Sequence, residues 1–318
     1  MKTFSIVIPV YKVAAYVAET IKSVINQSEK DFELIVVDDG SPDNSGIIAA
    51  NLLSSTSLDY KIVRTENRGV SAARNTGLEY CNGEYVIMVD GDDVLADDFL
   101  SAYRKLIDTY PGSNIYSTSF TIFTADKLIE QPCGREKIMV YDAKKTHVVF
   151  FNRSPRFLLP TMLFKSSFLR DYNIRFDEKV KYSEDVQFIW RTLAYNEKPV
   201  IHSVYSGYKY ILHPGSTMTA SGIEKIMTWY EGFNKLVNDI LDLLSDEIRE
   251  AFVPRGYFSM LHGITQMSSY KEFKEIYDRT DCAQNLRFNS TIVSPKVRLV
   301  SRLTTLCPYL GYCIMKMY

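Results

Sequence analysis

The sequence has no apolar run near the ~18 residues of an ordinary membrane span, no Cys-x-x-Cys pair and no surplus of either charge. Its five cysteines, Cys81, Cys133, Cys282, Cys307 and Cys313, are scattered and odd in number. They form neither a disulfide framework nor a zinc site, and they suit a reducing, intracellular setting. With 37 Lys plus Arg against 38 Asp plus Glu, there is no global field to attract nucleic acid, and no nucleic-acid partner is expected. The N-terminus lacks the longer apolar stretch and cleavage site of a signal peptide, so its short run Phe4 to Val10 reads as a first buried strand. No G-x-G-x-x-G follows that strand, which argues against a dinucleotide-dependent dehydrogenase. No G-x-x-x-x-G-K-[ST] is present, which removes a P-loop enzyme, and G-x-S-x-G is absent too.

What is there is a globular chain of 318 residues, 46% of them apolar, enough for one large domain or a domain with an appendage. The first half alternates β-branched runs with amphipathic stretches, the pattern of strands that cross over through helices into a mostly parallel sheet, an α/β class. Strands are predicted over 4–10, 32–37, 60–63, 85–89 and 114–121, and helices near 15–26, 45–53, 70–80 and 97–110. The stretch 134–214 mixes short strands and helices. Within it Ser183 is the expected N-cap of a helix running to about Asn196, with Glu184 and Asp185 in its favourable first turn. From Gly222 onward the pattern is helical, so the expected domains are 1–220 and a C-terminal helical extension, 221–318. Its last segment, 291–318, carries Lys296, Arg298, Arg302 and Lys316 with no acidic residue. These alternate with Val297, Leu299, Val300, Leu303, Leu306, Leu310 and Ile314. Such a basic amphipathic segment either makes peripheral contact with a membrane or docks on its own domain.

Ligands of open parallel sheets bind beyond the carboxyl ends of the strands, and there this chain is acidic. The second strand runs into Asp38-Asp39-Gly40-Ser41 and the fourth into Asp90-Gly91-Asp92-Asp93. A single Asp-Gly pair is ordinary turn chemistry. Two clusters at strand ends point to a cation, because converging carboxylates repel one another. Oxygen-only donors select Mg²⁺ or Mn²⁺, and such ions complete their shell with substrate phosphates. The expectation is therefore a metal-held nucleotide.

The segments Phe4-Ser5-Ile6-Val7-Ile8-Pro9-Val10-Tyr11, Val36-Val37-Asp38-Asp39-Gly40-Ser41, Asn67-Arg68-Gly69-Val70-Ser71-Ala72-Ala73-Arg74-Asn75-Thr76-Gly77 and Asp90-Gly91-Asp92-Asp93 resemble, in that order, those of family 2 glycosyltransferases. A later Phe176-Asp177-Glu178 and Glu184-Asp185 carry the resemblance to about residue 215. It implies a GT-A (Rossmann-like) fold and an inverting, metal-dependent hexosyltransferase of the bacterial polysaccharide-assembly type, with a nucleotide-sugar donor, UDP-linked. It further implies a glycan or lipid-linked oligosaccharide acceptor and a cytoplasmic location at the inner face of the cell membrane.

By the same resemblance, Pro9 and Tyr11 line the nucleotide pocket, and Asp39 accepts hydrogen bonds from the base. Asp92 lies at the ribose and the metal, Asp93 is a direct metal ligand and Asp90 supports both. Arg68 and Arg74 face the diphosphate, where a guanidinium can pair with phosphate oxygens in bidentate geometry. Asp185 is the general base, with Glu184 the alternative. His213 closes over the diphosphate as donor or ligand. One departure is visible: the family pattern Tyr-Arg-x-Arg/His-x-x-Ser reads Tyr210-Ile211-Leu212-His213-Pro214-Gly215-Ser216, so the first cation is Ile211. Trp190 either stacks on an acceptor sugar or joins the core. Two other classes share these features: a catalytically silent nucleotide-sugar-binding or assembly module, and a nucleotidyltransferase that would release pyrophosphate.

Overall fold

The computed structural model describes residues 2–124, 127–131, 137–213, 223–288, 290 and 292–317. The chain forms two compact units, Met1–Glu178 with Glu184–Ser216, and Lys179–Ser183 with Thr217–Tyr318. The expected boundary at 220/221 lies outside the described residues.

The first unit runs β1 (Phe4–Val10), α1 (Val17–Ile25), β2 (Phe32–Asp38), α2 (Ser45–Ser54), β3 (Asp59–Arg64), α3 (Val70–Tyr80), β4 (Tyr85–Met88), β5 (Val94–Leu95), α4 (Phe99–Thr109) and β6 (Ile115–Thr124). It continues through β7 (Lys127–Glu130), β8 (Ile138–Tyr141), α5 (Ala143–Asn152), β9 (Met162–Lys165), α6 (Ser166–Asp171), α7 (Glu184–Tyr195) and β10 (Val200–Leu212). The sheet order is β3-β2-β1-β4-β9-β6-β10-β5, with β7 on β6 and β8 on β10. The strands β3, β2, β1 and β4 are all parallel, and β9 runs antiparallel between β4 and β6. The order reverses at β1, between β2 and β4, so the carboxyl ends of these three strands open the crevice that binds ligands in α/β sheets.

Period-two patterning builds both faces of this sheet. Phe4, Ile6, Ile8 and Val10 join Val17, Ile21 and Val24 of α1 and Phe99, Leu100 and Tyr103 of α4 in one core. Each such side chain, fully buried, contributes about 1.5–3 kcal/mol. Val7 points to the other face, where α3 packs on β1 and β2. Gly77 makes that approach possible, since a Cβ there would lie 2.2 Å from Val7 Cγ1. Trp190 is 6% exposed and meets Phe150 edge-on, so of its two expected places it takes the core. Ser183 precedes α7 with φ of 59°, a left-handed backbone rather than the extended one an N-cap takes.

The second unit is helical among its described residues: α8 (Ile223–Ile240), α9 (Asp246–Met267), α10 (Tyr270–Arg279), α11 (Cys282–Asn285), α12 (Pro295–Leu306) and α13 (Pro308–Lys316). Its core includes Leu236, Ile248, Leu261, Ile264, Phe273 and Met315. No described helix is long and apolar enough to cross a membrane.

His202 on β10 is fully buried, with Nδ1 2.8 Å from Ser117 Oγ, and burial lowers its pKa from 6.5 to about 4. Between those values the unfolded chain binds a proton that the folded chain refuses, so the stability His202 contributes is present above pH 6.5 and lost as pH falls toward 4. The stability difference between the parent and His202→Asn should therefore shrink by on the order of 3 kcal/mol over that window. Urea unfolding at pH 7.5, 6, 5 and 4.5 measures it. A difference that stays constant would contradict a neutral buried imidazole.

Candidate active site

The crevice is lined by the turns that leave β1, β2 and β4. Tyr11 is 40% exposed just past β1, with Lys12 Nζ 5.1 Å from its ring centre. Pro9 sits half-buried before it, and the Pro9 carbonyl comes close to Gly91 of the turn after β4. Asp39, past β2, is buried. Its Oδ1 accepts from the Arg68 backbone N–H at 3.0 Å and from Thr65 Oγ1 at 3.2 Å, and its Oδ2 accepts from the Gly69 N–H at 2.8 Å. A carboxylate has about four lone-pair sites, so the chain fills three and ties down the loop that leads into α3. Gly40 supports that loop with φ of 66°, and a Cβ there would lie 2.9 Å from the Asn67 nitrogen.

Arg74 is the hub. It is 5% exposed, and its Nη2 donates to Asp90 Oδ1 at 2.9 Å while its Nη1 donates to Glu184 Oε1 at 3.0 Å. Its guanidinium lies 5.4 Å from the centre of the Phe176 ring. Arg74 was expected to face the diphosphate, yet both terminal nitrogens are committed to carboxylates of the chain. The next residue extends the bridge: Asn75 donates from Nδ2 to the Phe176 carbonyl at 3.0 Å and to Glu178 Oε1 at 3.1 Å. It also accepts from the Phe176 N–H at 2.9 Å. Thus α3 registers the 176–178 segment and the start of α7 against the acidic turn. Arg68 stays exposed, 3.5 Å from Glu178 Oε2.

The acidic turn divides its work. Asp93 is 1% exposed, and both its oxygens accept internal bonds, Oδ2 from the Tyr208 hydroxyl at 2.5 Å and Oδ1 from the Ile211 N–H at 2.8 Å. Burial and then the neighbouring Asp90 push its pKa up. Asp93, expected as a direct metal ligand, is in this conformation the anchor of β10. Asp92 is half-buried, its pKa raised by burial first and then by Asp90. Strand β10 ends by delivering His213, whose Nε2–H donates to the Asp92 carbonyl at 3.1 Å while its ring stacks on Tyr16 at 3.7 Å. A carbonyl only accepts, so Nε2 carries the proton. The rest of that predicted segment, Pro214 to Ser216, lies outside the described residues.

At the head of α7, Asp185 is half-buried, and its Oδ1 accepts from the Val186 N–H at 2.7 Å. It lies within electrostatic reach of Arg74 and of Tyr210, and Tyr210 also feels Asp90, Asp92 and Asp93. Burial raises the Glu184 pKa against the opposing pull of Arg74. The structure therefore brings Asp90, Asp92, Glu184, Asp185 and His213 to one place, with Arg74 inside it. Among the described residues no three His, Cys, Asp or Glu side chains form a metal cage. A Mg²⁺-type ion does not need one, because one or two carboxylates, water and substrate phosphates suffice. Asp92, with Asp90 beside it, fits that donor set. The sequence reading missed Tyr16, Asn75 and Tyr208. Asn75 adjoins Arg74 in a motif already singled out, whereas Tyr16 and Tyr208 are two of 22 tyrosines and carry no local signal.

Asp93→Ala should lower stability by on the order of 1–3 kcal/mol, because leaving the buried Tyr208 hydroxyl and Ile211 N–H without acceptors costs more than the relief of a buried acid returns. Asp92→Ala should leave stability at neutral pH unchanged or raised, because burial disfavours that charge in the folded chain. Urea unfolding of both variants decides, and equal losses would contradict the division of roles.

With this geometry in place, the comparisons are specific. The glycosyl transferase family 2 model matches residues 5–169. The minor teichoic acid biosynthesis protein GgaB of Bacillus subtilis is 29% identical over 200 residues, 61% of this chain and 21% of that protein. The uncharacterized glycosyltransferase EpsJ of the same species is 30% identical over 196 residues, 58% of this chain and 54% of that one. This chain thus spans about half or less of these curated relatives. The crystal structure of S. aureus TarS 1–349 with UDP-GlcNAc superposes with a TM-score of 0.68 at 18% identity, covering 100% of this chain and 91% of that one. The mannosyltransferase PcManGT of Pyrobaculum calidifontis with GDP-Man and Mn²⁺ gives 0.54 at 18% identity, covering 100% and 87%. These likenesses show the GT-A fold. A family match across more than half of the chain, on the segments that build this crevice, means that the chain belongs to glycosyl transferase family 2.

Proposed function

We propose that the chain is an inverting, metal-dependent hexosyltransferase that moves a sugar from a UDP-sugar to a glycan acceptor carried on lipid, at the cytoplasmic face of a bacterial membrane, during cell-surface polysaccharide assembly. The observation that carries the reading is the bridge through Arg74, which joins the acidic turn after β4 to the acid pair of α7. The TarS complexes with UDP-GlcNAc and UDP support the donor, and the names of TarS, a poly(ribitol-phosphate) β-N-acetylglucosaminyltransferase, and GgaB support the setting.

In this reading Tyr11 and Pro9 flank the nucleotide, and Asp39 offers its remaining lone pair to the base. Arg68 faces the diphosphate, and His213, whose Nε2–H is held by the Asp92 carbonyl, would offer its Nδ1 lone pair to the metal ion. Asp92, supported by Asp90, would hold a Mg²⁺ or Mn²⁺ ion, which when bound would offset the charge that develops on the leaving diphosphate. Asp185 takes the proton of the acceptor hydroxyl as that oxygen attacks the anomeric carbon from the side opposite the nucleotide. One C–O bond forms, the bond to the diphosphate oxygen breaks, and the configuration inverts. Glu184 is held by Arg74 and is less free for this task, which favours Asp185.

Purified chain given UDP-GlcNAc, UDP-glucose, UDP-galactose or GDP-mannose with Mn²⁺ or Mg²⁺ should release nucleoside diphosphate from a UDP-sugar, and EDTA should abolish the release. Asp185→Asn should slow transfer about 10²–10⁴-fold, the usual worth of a general base. Pyrophosphate as the product would establish a nucleotidyltransferase. Donor binding without turnover in the presence of glycan acceptors would establish a binding module.

A further inference from the structure

The last two helices of the second unit are a fixed hairpin with two unlike sides. Ser294 caps α12 through a bond from the Val297 N–H, and proline opens both helices. The inner side buries Val297, Val300, Ser301 and Thr304 of α12 and Gly311, Tyr312 and Met315 of α13. Gly311 allows close contact, since a Cβ there would lie 2.2 Å from Thr304 Oγ1. Gln266 donates to the Met315 carbonyl at 3.2 Å and the Tyr312 hydroxyl to the Ser268 carbonyl at 3.0 Å, so α13 is tied to α9 and the segment after it. Half of the amphipathic pattern read in the sequence is thereby explained as docking on its own unit.

The outer side is not. Leu299 is 58% exposed, Leu306 83% and Met317 80%, with Leu310 exposed as well, whereas the exposed Tyr309 stands edge-on to Tyr270 of α10 at 5.0 Å. Leu299 and Leu306 stand seven residues apart on one stripe of α12, with Arg302 between them. Lys296, Arg302 and Lys316 are exposed and Arg298 half-exposed on the same two helices, and no acidic residue occurs in 291–318. A symmetric contact with a second copy would set these cations against themselves, which like-charge repulsion opposes. A surface that is apolar below and anionic above complements the face in both respects.

We propose that the outer face of the α12–α13 hairpin docks on an anionic lipid surface, with Leu299, Leu306 and Met317 entering the acyl boundary and the basic side chains meeting the headgroups. The proposal deepens the reading of a lipid-carried acceptor by naming the surface that holds the enzyme in the acceptor's plane. It does not depend on the donor or on the base.

Flotation of the 318-residue chain with vesicles tests it. The chain should partition onto phosphatidylcholine vesicles containing about a third phosphatidylglycerol, and at least about tenfold less onto phosphatidylcholine alone, with binding weakened by salt. Leu306→Ser/Met317→Ser and Lys296→Glu/Arg302→Glu alter exposed positions, so they should fold as the parent does by circular dichroism. Each should lower partition at least about tenfold, while nucleoside diphosphate release without vesicles stays at the parent level. Failure of the parent to float, or flotation unchanged in both variants, would overturn the proposal. So would self-association in analytical ultracentrifugation that disappears in Leu306→Ser/Met317→Ser. Loss of flotation with intact release separates this surface from the catalytic reading.

Discussion

A guanidinium held between two carboxylates from distant parts of the chain sets the geometry of this crevice. Arg74 donates to Asp90, 16 residues on, and to Glu184, 110 residues on. A buried cation is costly unless paired, and removing one partner of a buried pair costs about 3–5 kcal/mol. Neither acid can drift from Arg74 cheaply, so the acidic turn after β4 and the head of α7 stay in register. The planar fork serves both partners at once in a fixed geometry. Asn75 adds the same service for the 176–178 segment with three further hydrogen bonds, two with the Phe176 backbone and one to the Glu178 carboxylate. The helix α3 that carries both residues is pressed onto β1 by way of Gly77, and so the fold's parallel half and the site share one support.

The parallel half was legible because β1, β2 and β4 are buried on both faces. Apolar, β-branched runs identified β1 to the residue and placed β2, β3 and β4 within one or two, and the amphipathic stretch between β3 and β4 gave α3 to the residue. Element bounds blur at fraying ends, which accounts for such slips. The half built from β6, β9 and β10 was harder to read. β9 is only Met162–Lys165, and its antiparallel place between β4 and β6 depends on pairings that no local pattern encodes. The strand β10, 13 residues long, pairs with β6 in two registers on either side of an irregularity between Ser203 and Tyr208, which broke its alternation in the sequence.

The site was legible as a set of acids and only partly as a set of roles. Residue type and strand-end position placed Asp39, Asp90 and Asp92 at the crevice, and the family resemblance added Glu184 and Asp185 from the head of α7. Sequence could not separate Asp92 from Asp93, because the difference lies in Tyr208 and the Ile211 amide, more than 100 residues away. Nor could it tell that both terminal nitrogens of Arg74 meet carboxylates of the chain while Arg68 stays exposed beside Glu178. The same limit holds at the C-terminal end, where one amphipathic stripe splits into an inner face that packs and an outer face that does not.

The measurement closest to the central claim is a double-mutant cycle between Arg74 and Glu184 in the transfer reaction. Arg74→Lys, Glu184→Gln and the double variant are compared in kcat and in the KM for the donor. If Arg74 positions the acid pair, each single change lowers kcat with little effect on donor KM, and the double variant is far less impaired than the product of the two losses. Independent, multiplicative losses, with the Arg74→Lys effect falling on donor KM, would show that Arg74 is a donor ligand and that the bridge is not what holds the site together.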